Sequence, residues 1–203
     1  MNLEVVAAFL ISNYKTISMK PRVVLPILLI SVIVISGCVE EQEPVTEIYV
    51  PGHGNQIYAF HNDIRESLKV PVNNPEGIKA LAAVSNGMYL VFDGSNPQDN
   101  AYFTIVTTEI TQKISTYYSY EGRLFGFMPY YHIGSQWYDS GGKEINKPDF
   151  SGPVMWLLGP STGANDTSVT LVNSTVYISG TSYNNLTLAG DKFVLLIFGI
   201  DRV

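Results

Sequence analysis

Three histidines, a scatter of aspartates and a dense run of aromatic residues are the side chains of this 203-residue chain best suited to chemistry. His53 and His61, with Asp63 nearby, have the donor types of a metal site, because imidazole and carboxylate both bind divalent cations. Their seven-residue gap matches no recognised ligand spacing, and His53, set in a Pro/Gly turn, reads as a solvated side chain. No metal and no cofactor is therefore expected. Asp63, Asp93, Asp99 and Asp139 could supply the paired carboxylates of a hydrolase of envelope polymers, for instance Asp63 with Asp93 or Asp139. Solvated turn positions are the plainer reading of most of them. Serines lie beside glycines in "GTSYN", "GPSTG" and "IGSQW", but none has the G-x-S-x-G spacing of a nucleophile elbow. The stretch "GPSTGAND" (residues 159–166) lacks the lysine of a phosphate cradle, and no D-x-[DN]-x-[DN]-G calcium loop occurs. No residue is assigned a catalytic role.

Aromatic residues make up nine of the 22 positions from 117 to 138. Tyrosine and tryptophan combine an apolar face with a polar edge and suit sugar or protein surfaces, although half of such a cluster ordinarily lines a core. Tyr130, Tyr131, His132, Trp137 and Tyr138 lie between Pro129, Gly134 and the Gly141-Gly142 pair. They read as a bent loop that cannot bury every large side chain it carries, and they are the candidate ligand surface. Asn165, Asn173 and Asn185 each open an N-x-S/T sequon, a glycan acceptor pattern on an exported chain.

The elements that must hold these residues are legible in part. Residues 57–60 read as a strand, followed by a short helix capped at residues 61–63. Asn74, Pro75 and Glu76 open a helix with Ile78, Leu81 and Ala82 on one face, and Asn86-Gly87 stops it. Strands are expected at residues 88–93, 101–107, 124–128 and 154–159, with a helix over 109–118 and a surface loop over 139–153. Two alternating runs around Asn173-Ser174 predict a hairpin, and "KFVLLIFGI" (residues 192–200) predicts a central strand buried on both faces. The expected fold class is α/β or α+β: a single domain with a mixed β-sheet flanked by a few helices.

Ahead of that domain, residues 23–35 form thirteen uncharged, mainly apolar positions preceded by Lys20 and Arg22 and followed by glutamates. This is short for a membrane span, which needs about 20 apolar residues, and it has the order of a secretory signal. The four residues "ISGC" at 35–38 closely resemble the lipobox of prokaryotic lipoproteins. That resemblance implies diacylglycerol attached to the sulfur of Cys38, cleavage before it, and anchoring on the extracytoplasmic face of the cell membrane. The alternative is an uncleaved N-terminal anchor helix. Combined with clustered sequons, the lipobox is similar to that of an archaeal envelope lipoprotein. Residues 1–18 read as a misplaced start, 19–37 as signal peptide, 38–47 as lipidated cysteine and acidic tether, and 48–203 as the exterior domain.

Residues 1–37 hold three of the 12 Lys+Arg and one of the 18 Asp+Glu, leaving nine basic and seventeen acidic residues, a net charge of −8. That sign excludes a nucleic-acid binder, which needs clustered basic residues. With Cys38 lipidated, the exterior domain has no cysteine and its stability comes from burial alone. A non-catalytic binding or interaction domain is the leading functional expectation, with an envelope protein or a glycan as partner.

Overall fold

Two stretches with the same opening, Asn74-Pro75-Glu76 and Asn96-Pro97-Gln98-Asp99, start helices of very different length. In a computed structural model the described residues are 46–50, 53 and 56–201; the signal segment, Cys38 and most of the acidic tether lie outside them. Among the described residues the order is β1 (Thr46–Tyr49), β2 (Ile57–Phe60), α1 (Ile64–Lys69), β3 (Val72–Asn73), α2 (Pro75–Val84), β4 (Gly87–Asp93) and α3 (Pro97–Tyr120). It continues with β5 (Gly126–Ile133), β6 (Gln136–Asp139), β7 (Glu144–Ile145), β8 (Val154–Leu158), β9 (Ser168–Val172), β10 (Thr175–Ser179) and α4 (Tyr183–Ile197). Thr46 and Glu47, expected in the tether, already belong to β1.

Eight strands form one mixed sheet in the order β3-β9-β10-β8-β4-β5-β6-β7. Its middle four strands, β10, β8, β4 and β5, are parallel, and antiparallel neighbours flank them on both sides. The edge strands β3 and β7 are only two residues long, which leaves little unpaired backbone to recruit another chain. β1 and β2 pair as a separate antiparallel ribbon. The expected α/β domain with a mixed sheet is what forms.

Period-2 alternation divides the strand side chains between two cores. Met88 and Leu90 of β4, Met155 and Leu157 of β8, and Val176 and Ile178 of β10 join the apolar residues of all four helices in the larger one. Val91, Val154 and Trp137 make a smaller core on the other face, packed by Tyr89, Tyr130, Ile145, Phe150 and Trp156, with no helix residue in it. Among the described residues the sheet therefore wears its helices on one side only.

Two expected strands are helices. Residues 101–107 lie inside α3, whose buried positions Phe103, Val106, Ile110, Ile114 and Tyr118 recur at helical spacing. The Asn96 side chain accepts from the Gln98 N–H at 2.9 Å, and Pro97 occupies the first turn without leaving a donor unpaired. The hydroxyls of Thr104, Thr107 and Thr111 bond back to carbonyls one turn earlier, at 2.8, 3.0 and 3.2 Å. Local β propensity is overridden by a strong cap and a continuous apolar stripe.

Residues 192–197 belong to α4, capped by Ser182, whose Oγ accepts from the Asn185 N–H at 3.2 Å. Helix α4 packs against α1, α2, α3, β9 and β10, and residues 193–197 within it are buried without a break. A fully buried helix and a fully buried strand present the same unbroken apolar run, and only that surround separates them. Phe193, Val194 and Leu195 are completely buried, worth about 1.5–3 kcal/mol each. The role as core holds; the element type does not.

Candidate functional site

Strand alternation splits the aromatic candidates. The expected bent loop is a hairpin, β5 and β6 joined by a tight turn in which Gly134 takes φ +58°. Tyr130, His132 and Trp137 point to the helix-free face: Tyr130 is 6.1 Å from the Tyr89 ring, and His132 is 5.1 Å from Trp137 and 5.9 Å from Trp156. Tyr131 and Tyr138 stack on each other at 5.0 Å on the opposite face, where Tyr131 also stacks on Phe92 at 5.7 Å. Trp137 is buried at 8 % exposure, while the other four are half-buried. The five candidates are therefore two surfaces, not one.

On the helix-free face the register places Tyr177 of β10 beside Trp156 of β8, and Trp156 beside Val91 of β4. These side chains replace a helix layer, because Val91 is fully buried beneath them. Phe150, from the loop before β8, covers one end by packing on Tyr89, Tyr130 and Trp137 at 5.2, 6.1 and 5.8 Å. Beyond it lies a cavity of about 320 Å³ lined by Asp93, His132, Trp156, Leu158, Thr162 and Tyr177. Trp156, Leu158 and Tyr177 carried no sequence signal of their own beyond alternation within short strands.

The place has a topological cause. β4 ends at Asp93 and continues through α3 to β5 on one side; β8 ends at Leu158 and continues through β9 to β10 on the other. Chain paths that diverge from neighbouring parallel strands leave a crevice at their carboxyl ends, the usual ligand position in such sheets. Asp93 Oδ1 accepts from the Ser95 N–H at 2.9 Å. His132 Nδ1 lies 3.2 Å from the Gly134 carbonyl, which can only accept, so Nδ1 bears a proton there and Nε2 is left for another partner.

Beside the cavity, the N-termini of α3 and α4 meet the loop after β8. Asp99 is fully buried, and its Oδ1 accepts from Ser161 Oγ at 3.0 Å and from the Tyr183 hydroxyl at 2.9 Å. Asn96 Nδ2 donates to Ser161 Oγ at 2.7 Å. Desolvation and the bond to Asp99 push the Tyr183 phenol upward. This knot ties two helix starts to a loop, and Ser161 has a carboxylate but no histidine bonded to its hydroxyl. Asp99 does not share the solvated turn setting expected of most of these aspartates: three separate segments close over it.

The other carboxylates are engaged singly. Asp63 caps α1 and pairs with Arg65 at 3.0 Å, which holds its carboxyl below the ordinary range. Asp139 Oδ1 accepts from the Gly141 and Lys143 N–H groups at 2.9 and 3.0 Å. Two acids that do approach are Glu109 and Asp191, and Lys113 stands between them at 3.0 and 3.7 Å. His53, expected in solvent, is 6 % exposed because its ring stacks on Tyr117 at 4.3 Å. His61 lies 3.7 Å from Glu109, and among the described residues no three acids, histidines or cysteines converge as a metal site. Asn165 and Asn173 are exposed in a loop and a hairpin turn; Asn185 sits in the first turn of α4 with Nδ2 donating to Thr181 at 3.0 Å. A larger hollow of about 650 Å³ at Tyr120, Arg123 and Leu124 has its guanidinium spent on the carbonyls of Ala82 and Ser85. No protein-family model, curated protein or solved structure matches the chain.

Proposed function

We propose that this protein is a membrane-anchored extracytoplasmic lipoprotein whose domain binds an envelope component on its helix-free aromatic face. The anchoring half rests on the basic–apolar–"ISGC" order that ends at Cys38. The observation that carries the binding half is the cavity at the carboxyl ends of β4 and β8, where Trp156 and Tyr177 lie beside Asp93 and His132. Convergent polar groups at the edge of an aromatic pocket are the ordinary makings of a ligand site. Binding is favoured over hydrolysis because Asp93 is the one acid that lines this cavity, while Asp63 and Asp139 are spent on a cap and a turn and Glu109 and Asp191 on a lysine bridge.

Cell fractionation and intact mass test the first half. The expected species is in the membrane, lacks residues 1–37 and carries lipid on Cys38; recovery from the cytosol overturns the reading. A full-length chain with a free Cys38 thiol decides instead for an uncleaved anchor helix. Oxidative footprinting tests the second half: Trp156 is expected to be protected in intact envelopes relative to the purified protein. Equal labelling in both overturns it.

A further inference from the structure

Resting on that binding reading, we propose that the cavity between Trp156, Tyr177, Asp93 and His132 is a subsite for a neutral saccharide ring. The Trp156 and Tyr177 rings sit on neighbouring strands, 6.4 Å apart between centroids and only 28° from parallel. They form a loose stack in which each ring is only partly buried, so an apolar ring face and a polar edge remain for the C–H face and hydroxyls of a pyranose.

Polar groups stand beside the two rings. Asp93 has one carboxylate oxygen committed to the Ser95 N–H and a second with no hydrogen bond among the described residues. His132 adds Nε2 as a second polar contact, because Nδ1 faces the Gly134 carbonyl. Sugar hydroxyls are partners for these two groups, and a hydroxyl pair across one ring edge can reach both. Thr162 contributes mainly wall, since its Oγ1 is held at 2.8 Å by the Gly159 N–H.

Charge narrows the class further. No lysine or arginine lines the cavity, Asp93 makes it negative, and the mature chain is itself acidic. A uronate or phosphate there would meet only repulsion, so the ring bound here carries no negative charge. The volume of about 320 Å³ is at the small end of ligand pockets, which fits one or two rings and not an extended polymer buried whole.

The test uses the full-length protein in a zwitterionic detergent without a sugar headgroup. Glucose, galactose, mannose and N-acetylglucosamine are titrated against glucuronate and tetramethylammonium, with tryptophan fluorescence and saturation-transfer NMR as readouts. At least one neutral sugar is expected to bind saturably in the millimolar range, and glucuronate about tenfold more weakly or not at all. Trp156→Ala is expected to weaken binding tenfold or more, Trp156→Phe to restore part of it, and Asp93→Asn to weaken it several-fold with the circular dichroism spectrum unchanged. Saturable binding of tetramethylammonium without any sugar response overturns the saccharide assignment and leaves a binding face. Silence toward every neutral sugar by a folded protein overturns the assignment too, while the footprint of Trp156 in envelopes decides separately whether the face is occupied.

Discussion

Burial pushes the carboxyl of Asp191 up to about 6, against bonds from Asn62 at 2.6 Å and from Lys113 that favour its charged form. An acid whose folded pKa lies above its unfolded value of 3.8 is protonated more readily in the folded chain. Its stabilising contribution is thus complete below about pH 4 and is lost as pH rises through 6, a swing of order 2–3 kcal/mol. Asp191→Asn removes that titration while keeping an acceptor for Asn62. The melting temperature of the variant relative to the parent is expected to climb between pH 4 and pH 7; a flat difference across that range contradicts the assignment. Asp99 teaches a related lesson about legibility. Its neighbours Asn96 and Pro97 signal a helix start as plainly as Asn74 and Pro75 do, yet nothing in the spacing reports that Ser161 and Tyr183, some 60 and 80 residues on, close over it.

Among the elements, α3 and α4 pack closely because Gly190 has no side chain. A Cβ there would stand 2.8 Å from Val106 Cγ1 and 3.5 Å from the tip of Ile110. Alanine is the better helix former by roughly 1 kcal/mol, but the overlap is with a short branched side chain that has little room to yield. Gly190→Ala is expected to lower stability by about 1–3 kcal/mol, and Val106→Ala in the same chain to recover part of it. Denaturant melts check this, and an unchanged midpoint for the single variant would refute the close approach. Element type also sorts the three sequons. In a host that glycosylates exported chains, peptide mass mapping is expected to find glycan on Asn165 and Asn173 and none on Asn185, whose amide is bonded within a helix turn. Full occupancy of Asn185 would show that modification precedes folding of α4.

For the whole molecule, the decisive asymmetry is a sheet with four helices on one face and aromatic side chains on the other. If Trp156 and Tyr177 roof Val91 as well as receive ligand, Trp156→Ala should cost stability modestly, about 1–2 kcal/mol, because that ring is only partly buried. A loss beyond about 3 kcal/mol would mean the ring is core, and the pair would lose its claim to be a site. The amino-acid sequence by itself determined the local features: the capped starts at Asp63 and Asn74, the hairpin around Asn173, the strand 88–93 and the mixed α/β class. Each of these depends on residues a few positions apart, where caps, turns and period-2 alternation act. Tertiary structure decided the rest. It made a helix of 192–197 by surrounding that run, and it sent Tyr130 and Tyr131 to opposite faces. It also brought Trp156 and Tyr177, 21 positions apart, to adjoining places on parallel strands. Strand order is set by which faces can be buried together, a sum over the whole chain, and no window of sequence contains it.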